Sequence, residues 1–130
     1  MNTDLIKEFL RKENVFAVVG VSSNPEKYGH LVYKDLKEAG YTVYPINPHI
    51  DEVLGDHCYH SLSELPERPD VVDTVVPPHV TEEIVEECKE LGIARVWMQP
   101  GSESEKAIEF CRQNNIKVVH DLCVMVKRRE

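Results

Sequence analysis

One stretch near the N-terminus constrains the fold of this chain more than any other. An unbroken apolar run, Val15–Val19, stops at Gly20 and is followed by a small polar loop and an amphipathic segment. Apolar runs without polar alternation are typical of parallel strands that helices cover on both faces. The pattern therefore predicts a central strand, a turn at Gly20 and a helix that opens near Gly29.

The loop in this unit has the composition of an anion-binding turn. Gly20 permits a sharp turn and carries no side chain to block a ligand, and the unpaired N–H groups at a helix N-terminus attract negative charge. Short polar residues add hydrogen-bonding groups: Ser22, Ser23 and Asn24. A nucleotide pyrophosphate suits this arrangement. The alternative is a turn without a ligand, since every parallel α/β fold needs one here.

Strand-like and helix-like segments alternate along the rest of the chain. Four further strands are predicted, at residues 41–46, 71–76, 95–98 and 116–119. The connections are long enough for right-handed crossovers. The expected fold is therefore α/β, a Rossmann-like doubly wound parallel sheet of about five strands in three layers, formed by residues 1–130 as a single domain.

Two of the helices carry specific local predictions. In the helix after the loop, one face has the spacing of a buried stripe: Leu31, Val32, Leu36 and Ala39. Later in the chain, Ser102 and Glu105 have the S-x-x-E spacing of a capping box, which predicts that a helix opens there.

Composition narrows the classes of partner. The 15 Lys and Arg against 23 Asp and Glu give a formal net charge of −8, which disfavours nucleic acid and anionic membranes. The first 14 residues are too charged for a signal peptide or a membrane span. The cysteines form no CxxC pair and are expected to be free thiols in the cytoplasm: Cys58, Cys88, Cys111 and Cys123.

Ligands of doubly wound sheets bind beyond the carboxyl ends of the strands. The segments at these ends are rich in Gly, Pro and small polar residues and poor in catalytic types: 20–29, 47–48, 76–78, 99–101 and 120–123. The sequence has no G-x-S-x-G elbow and no Cys with an evident His and acid partner. Binding is therefore favoured over catalysis, with no catalytic residue assigned.

The usual nucleotide fingerprints are missing from this sequence. The loop lacks G-x-G-x-x-G, and the second strand ends in Asn47 rather than in an acidic residue for ribose hydroxyls. No G-K-[ST] closes the loop, which disfavours a P-loop. A sensor or regulatory domain that binds NAD(P) is therefore the alternative reading rather than the first.

The strand-end segments resemble a known family. The stretches VFAVVGVSSNPEKYGH, YPINP, DVVDTVVPP, VWMQPG and HDLCVMV are similar, in this order, to the CoA-binding domain family. That family includes the N-terminal domain of the succinyl-CoA synthetase α subunit and small stand-alone relatives. The resemblance implies coenzyme A or an acyl-CoA as ligand. It implies no ligase activity of the chain alone, because the 130 residues contain neither the phosphohistidine domain nor the nucleotide-binding subunit of the synthetases. A homodimer, or an accessory subunit of an acyl-CoA synthetase, stays open.

The resemblance also assigns the parts of CoA to segments. It places the pyrophosphate at 21–24 with Lys27 nearby, the adenosine end near 47–48, the pantetheine arm along 76–78 and 99–101, and the thiol end near Cys123. For Gln99 a loop role, and for Cys123 a buried packing role, remain alternatives. The full predicted cofactor site is Gly20, Val21, Ser22, Ser23, Asn24, Lys27, Tyr28, Gly29, Asn47, Pro48, Val76, Pro77, Pro78, Gln99, Pro100, Gly101 and Cys123.

Histidines offer weaker candidates. The group His57, Cys58 and His60 lacks the spacing of a common zinc motif, so no metal site is predicted. Three other histidines lie near predicted strand ends or helix starts, where a ring could contact a ligand or bond to local backbone: His30, His79 and His120.

Overall fold

The computed structural model describes residues 3–130, and its centre is a parallel sheet. The strands of this sheet are β1 (Val15–Val19), β2 (Thr42–Ile46), β5 (Val71–Thr74), β6 (Arg95–Met98) and β7 (Lys117–Val119). A separate antiparallel pair consists of β3 (Glu52–Val53) and β4 (Asp56–His57). The main sheet has the order β2-β1-β5-β6-β7, with every pairing parallel. The predicted five-stranded parallel sheet is confirmed.

Helices cover both faces of this sheet. They are α1 (Thr3–Phe9), α2 (Tyr28–Glu38), α3 (Pro78–Leu91), α4 (Glu105–Gln113) and α5 (Val124–Lys127), and a 3₁₀ turn lies at Leu62–Glu64. Buried residues of α1, α2 and α5 form one core with one face of the sheet. Those of α3 and α4 form a second core with the opposite face. The three-layer α/β arrangement is therefore confirmed.

The order of the strands locates a crevice. From β1 the chain moves outward to β2 and then returns to β5 on the other side of β1. This reversal is a topological switch point, where the loops after the two strands diverge and leave room for a ligand. Val19 at the end of β1 is in register with Thr74 at the end of β5, so the segments that begin at Gly20 and Val75 flank the switch point.

Two local predictions were wrong. Leu31 is 43% exposed, because the buried face of α2 is centred on Val32, Tyr33 and Leu36. Ser102 does not cap α4, since its hydroxyl is buried against the end of β5. The N-cap is Ser104, whose Oγ accepts a hydrogen bond from the Ala107 N–H (3.0 Å).

Candidate functional site

The loop between β1 and α2, residues 20–27, depends on very close packing between backbone segments, and we call it the Gly20 loop. Gly20 has φ +102°, and a Cβ there would lie 2.2 Å from the carbonyl oxygen of Val75. A Cβ on Gly29 would lie 2.0 Å from the carbonyl oxygen of Gly20. Both glycines are needed to bring strand, loop and helix together. A side chain at position 20 would collide with the segment after β5, which is a stronger reason for glycine than the space for a ligand.

Part of the polar capacity of this loop folds the loop itself. Ser22 Oγ accepts a hydrogen bond from the Asn24 N–H, and Asn24 Oδ1 accepts one from the Glu26 N–H, both at 3.0 Å. Ser23, Asn24 and Lys27 are exposed. Lys27 is the N-cap residue of α2 and makes no side-chain cap bond. The loop thus offers exposed hydroxyl, amide and ammonium donors at the N-terminus of an 11-residue helix.

Asn47 ties the end of β2 to the same loop. Its Nδ2 donates to the carbonyl oxygen of Val21 (2.7 Å), and its Oδ1 accepts from the His49 N–H (2.8 Å). Both polar atoms of the Asn47 side chain therefore have backbone partners. Its structural task is to hold Val21 and the Gly20 loop beside β2, a task that the sequence pattern did not reveal.

A cavity of about 400 Å³ lies between the Gly20 loop, the end of β2 and α3. Its lining includes six aliphatic side chains: Val19, Ile46, Leu62, Val76, Val80 and Ile84. Asn47, Pro48 and His60 also line it. Apolar walls with a few polar groups are typical of small-molecule sites. Three predicted site segments, which begin at positions 20, 47 and 76, therefore meet at one cavity.

A smaller groove of about 240 Å³ shares Val76 with this cavity. It lies between the ends of β5 and β6 and is lined by Val75, Val76, Pro77, Pro100, Gly101 and Ser102. Pro77 is the N-cap residue of α3, and Pro78 is the first residue of that helix. The two segments that the resemblance assigns to the pantetheine arm thus line one groove.

Gln99, the residue before Pro100, forms a hydrogen-bonded chain with Tyr28 and Cys123. The fully buried Gln99 donates from Nε2 to the Tyr28 hydroxyl (2.6 Å), which donates to Cys123 Sγ (2.8 Å). Gln99 Oε1 accepts from the Val124 N–H at the start of α5 (3.0 Å). The amide of Gln99 therefore connects β6 to α2 and α5, and both of its ends have protein partners.

The thiol of Cys123 is chemically distinct from the other three. Burial alone would raise the pKa of Cys123, but hydrogen bonds from Tyr28, Gln99 and the backbone N–H groups of Val126 and Met125 outweigh it and lower the pKa. Burial, followed by the bond to Cys123, raises the pKa of Tyr28. By contrast, burial raises the pKa of Cys58, Cys88 and Cys111. All four cysteines are free.

One acidic residue in this region was not predicted as a site residue from the sequence. Asp73 of β5 is completely buried, and among residues 3–130 neither of its carboxyl oxygens has a hydrogen-bond partner. Burial, and then the charge of Cys123, raise its pKa. One signal was present in the sequence, a single acidic residue inside the apolar run 71–76. We call Tyr28, Asp73, Gln99 and Cys123 the thiol cluster.

The remaining histidine candidates have local roles. The buried ring of His30 bonds through Nδ1 to the carbonyl oxygen of Ser22 (2.8 Å), His120 pairs with Asp121, and His79 is exposed on α3. His60 pairs with Asp51, whereas Cys58 is buried. Within the described part of the chain, no three His, Cys, Asp or Glu side chains are grouped to hold a metal ion.

Comparison with known proteins decides the family. The model of the family described as "CoA binding domain" matches residues 14–129. The chain belongs to the CoA-binding domain family. It is 35% identical over 121 residues to the uncharacterized protein YneT of Bacillus subtilis, covering 93% of this chain and 90% of that protein. The resemblance inferred from the sequence is confirmed.

Larger relatives contain a similar region. The α subunit of an ADP-forming acetate–CoA ligase II of Pyrococcus furiosus is 33% identical over 119 residues, and the match covers 83% of this chain but 26% of that subunit. Among solved structures, a hypothetical protein from Pyrococcus horikoshii superposes with a TM-score of 0.94 at 35% identity, over 99% of this chain and 91% of that one. No helix within residues 3–130 is long and apolar enough to cross a membrane.

Proposed function

We propose that this chain binds coenzyme A or an acyl-CoA across the carboxyl ends of its parallel strands. The observation that carries the proposal is the meeting of the Gly20 loop, the end of β2 and the two Pro-containing segments at one cavity and an adjoining groove. Family membership supplies the ligand class.

The chemistry of the site suggests how CoA would lie. The pyrophosphate would sit at the Gly20 loop, where Lys27 and the N-terminus of α2 attract anions. The adenosine end would use the cavity beside Pro48, and the pantetheine arm would follow the groove between Pro77 and Pro100. Its thiol end would then lie towards Cys123. Because the net charge is −8, the phosphates need such local donors.

Thermal unfolding with a panel of nucleotides tests the ligand class. A ligand at 100 times its dissociation constant adds about 2.7 kcal/mol to the free energy of unfolding, which a melt detects. We expect stabilisation by CoA or acetyl-CoA, with NAD, NADP and ATP as comparison ligands. An unchanged melt at millimolar CoA together with a shift by NAD would contradict the proposal and support the sensor alternative.

We further propose that these 130 residues bind CoA without ligating it. The acetate–CoA ligase α subunit extends well beyond the matched region, which is 26% of its length. With ATP or GTP, CoA and a panel of carboxylic acids, the chain alone should form no acyl-CoA.

The similarity to a ligase α subunit supports a second possibility, that the chain acts as an accessory subunit together with a partner protein. If a protein that copurifies with the chain starts acyl-CoA formation when it is added, the chain is an accessory subunit.

We also propose that the chain acts in the cytoplasm, where its four free thiols would stay reduced.

A further inference from the structure

Asp73 is placed on the face of the sheet that carries the thiol cluster. It is in register with Val18 of β1 and Trp97 of β6, which belong to the core under α2 and α5. Two residues beyond Trp97 on the same strand path, the Gln99 side chain contacts Tyr28 and Val124. Trp97 itself donates from Nε1 to the carbonyl oxygen of Leu122 (2.8 Å). The carboxyl group of Asp73 therefore lies in the layer that supports the segment around Cys123.

Within residues 3–130, no cation pairs with Asp73. Its charge interacts with those of Cys123 and Tyr28, both of which are also acids. On α2, His30 bonds to the Ser22 carbonyl, and Asp35 pairs with Arg128 and Arg129 near the C-terminus. The nearest strands face Asp73 with Val18 and Trp97. Within residues 3–130, its two oxygens also lack any hydrogen-bond donor.

Asp73 is fully buried and Cys123 is partly buried, so ionising both would place two negative charges close together in a poorly hydrated layer. Removing an unpaired carboxylate from water is costly, so the group stays protonated to a higher pH. The pKa of Asp73 is raised, while that of Cys123 is lowered by the donors around its sulfur. Because two nearby acids repel each other once both are charged, ionisation of either one opposes ionisation of the other.

We propose that Asp73 controls the reactivity of Cys123, because the thiol cluster holds one negative charge that the carboxyl group and the thiol compete for. When the charge is on sulfur, Tyr28, Gln99 and two N–H groups stabilise it, and Asp73 keeps its proton. When Asp73 ionises first, it opposes loss of the thiol proton. Asp73 is thus a positioning residue for charge, and the proposal does not depend on CoA as the ligand.

The test is the pH profile of Cys123 alkylation by iodoacetamide in the CoA-free chain, followed by peptide mapping. Removing the competing carboxylate in Asp73→Asn should shift the profile to lower pH. For a coupling of about one pK unit, alkylation should be up to about tenfold faster where the thiolate is the minor form. Glu83→Gln removes one exposed charge and should leave the profile unchanged. Superimposed profiles, or a shift to higher pH, would overturn the proposal.

A second variant covers the case in which Asp73→Asn does not fold. Asp73→Leu removes the carboxyl and fills the apolar site. Since folding raises the pKa of Asp73, its contribution to stability is present at low pH and is lost as pH rises from about 4, the unfolded value, through the folded value. The advantage of Asp73→Leu over wild type in urea unfolding should therefore grow with pH over that window. An advantage that does not change with pH would contradict a buried, protonated Asp73.

Discussion

The Gly20 loop and the thiol cluster lie at the same edge of the sheet but are built in opposite ways. The loop is a continuous segment whose exposed donors, Ser23, Asn24 and Lys27, stand on a backbone fixed by two glycines. The thiol cluster assembles four side chains from distant parts of the chain, and its buried members, Asp73 and Gln99, have no exposed surface. The loop is suited to meet a highly charged ligand, whereas the cluster is suited to tune one sulfur atom.

The difference teaches how stability and function are divided between the regions. In the loop, the fold needs the two glycines and the bonds that Ser22 and Asn24 accept, while Ser23 and Lys27 have exposed polar groups that can serve a ligand. In the thiol cluster, the same side chain serves both stability and the chemistry of the thiol. The amide of Gln99 joins β6 to α5 and also donates to the Tyr28 hydroxyl. Substitutions should therefore separate folding from binding in the loop but not in the cluster.

The largest effect is expected for Gly20→Ala. A Cβ 2.2 Å from the Val75 carbonyl oxygen must push the segment after β5 away, and alanine is strained at φ +102°. Overpacking and left-handed backbone together should cost at least about 3 kcal/mol of unfolding free energy, measured in urea. The control is Gly40→Ala, where φ is +94° but the added Cβ would have no packing neighbour within 4 Å. Equal losses in the two variants would show that close packing is not the cause.

Gln99→Leu should cost about 2 kcal/mol, because the buried Val124 N–H loses its acceptor. The same variant should slow alkylation of Cys123, since it removes a donor to the Tyr28 hydroxyl and to the sulfur. Gln113→Leu, at an exposed glutamine of α4, is the control and should change stability by less than about 0.5 kcal/mol. Loss of stability without any change in alkylation would separate the fold role from the thiol role.

Lys27→Glu should have the smallest free-energy effect, and it should appear in binding rather than in folding. Reversing the charge beside the Gly20 loop should weaken CoA binding about tenfold, or about 1.4 kcal/mol, in calorimetric titration. The melting temperature without ligand should hardly change, because Lys27 is exposed. Lys34→Glu reverses an exposed charge farther along α2 and serves as control. Equal CoA affinity in wild type and Lys27→Glu would remove Lys27 from the site.

Sequence reasoning reached the fold and the loop because both are encoded locally. The apolar run 15–19 and Gly20 specify strand and turn within a few residues, and parallel strand ends then bring the loops together. It placed Asn47 and Gln99 in the predicted site but could not foresee the bonds of Asn47 to Val21 and of Gln99 to Val124, because only the tertiary fold brings these partners near. It missed Asp73 for the same reason, since Cys123 is distant in the sequence. The prediction that Leu31 is buried was wrong for a related reason. The apolar spacing in α2 does not by itself fix which face packs on the sheet, and the buried face is that of Val32, Tyr33 and Leu36.

Covalent trapping of CoA tests the central claim most directly, that CoA lies along the strand ends with its thiol end at Cys123. Incubation with CoA disulfide lets the Cys123 thiolate attack one sulfur, form a mixed disulfide and release one CoA thiol. The account predicts one CoA adduct by intact mass, mapped to Cys123, reversed by reductant and absent in Cys123→Ser. No adduct, or an adduct at Cys58, Cys88 or Cys111, would contradict this placement of the ligand.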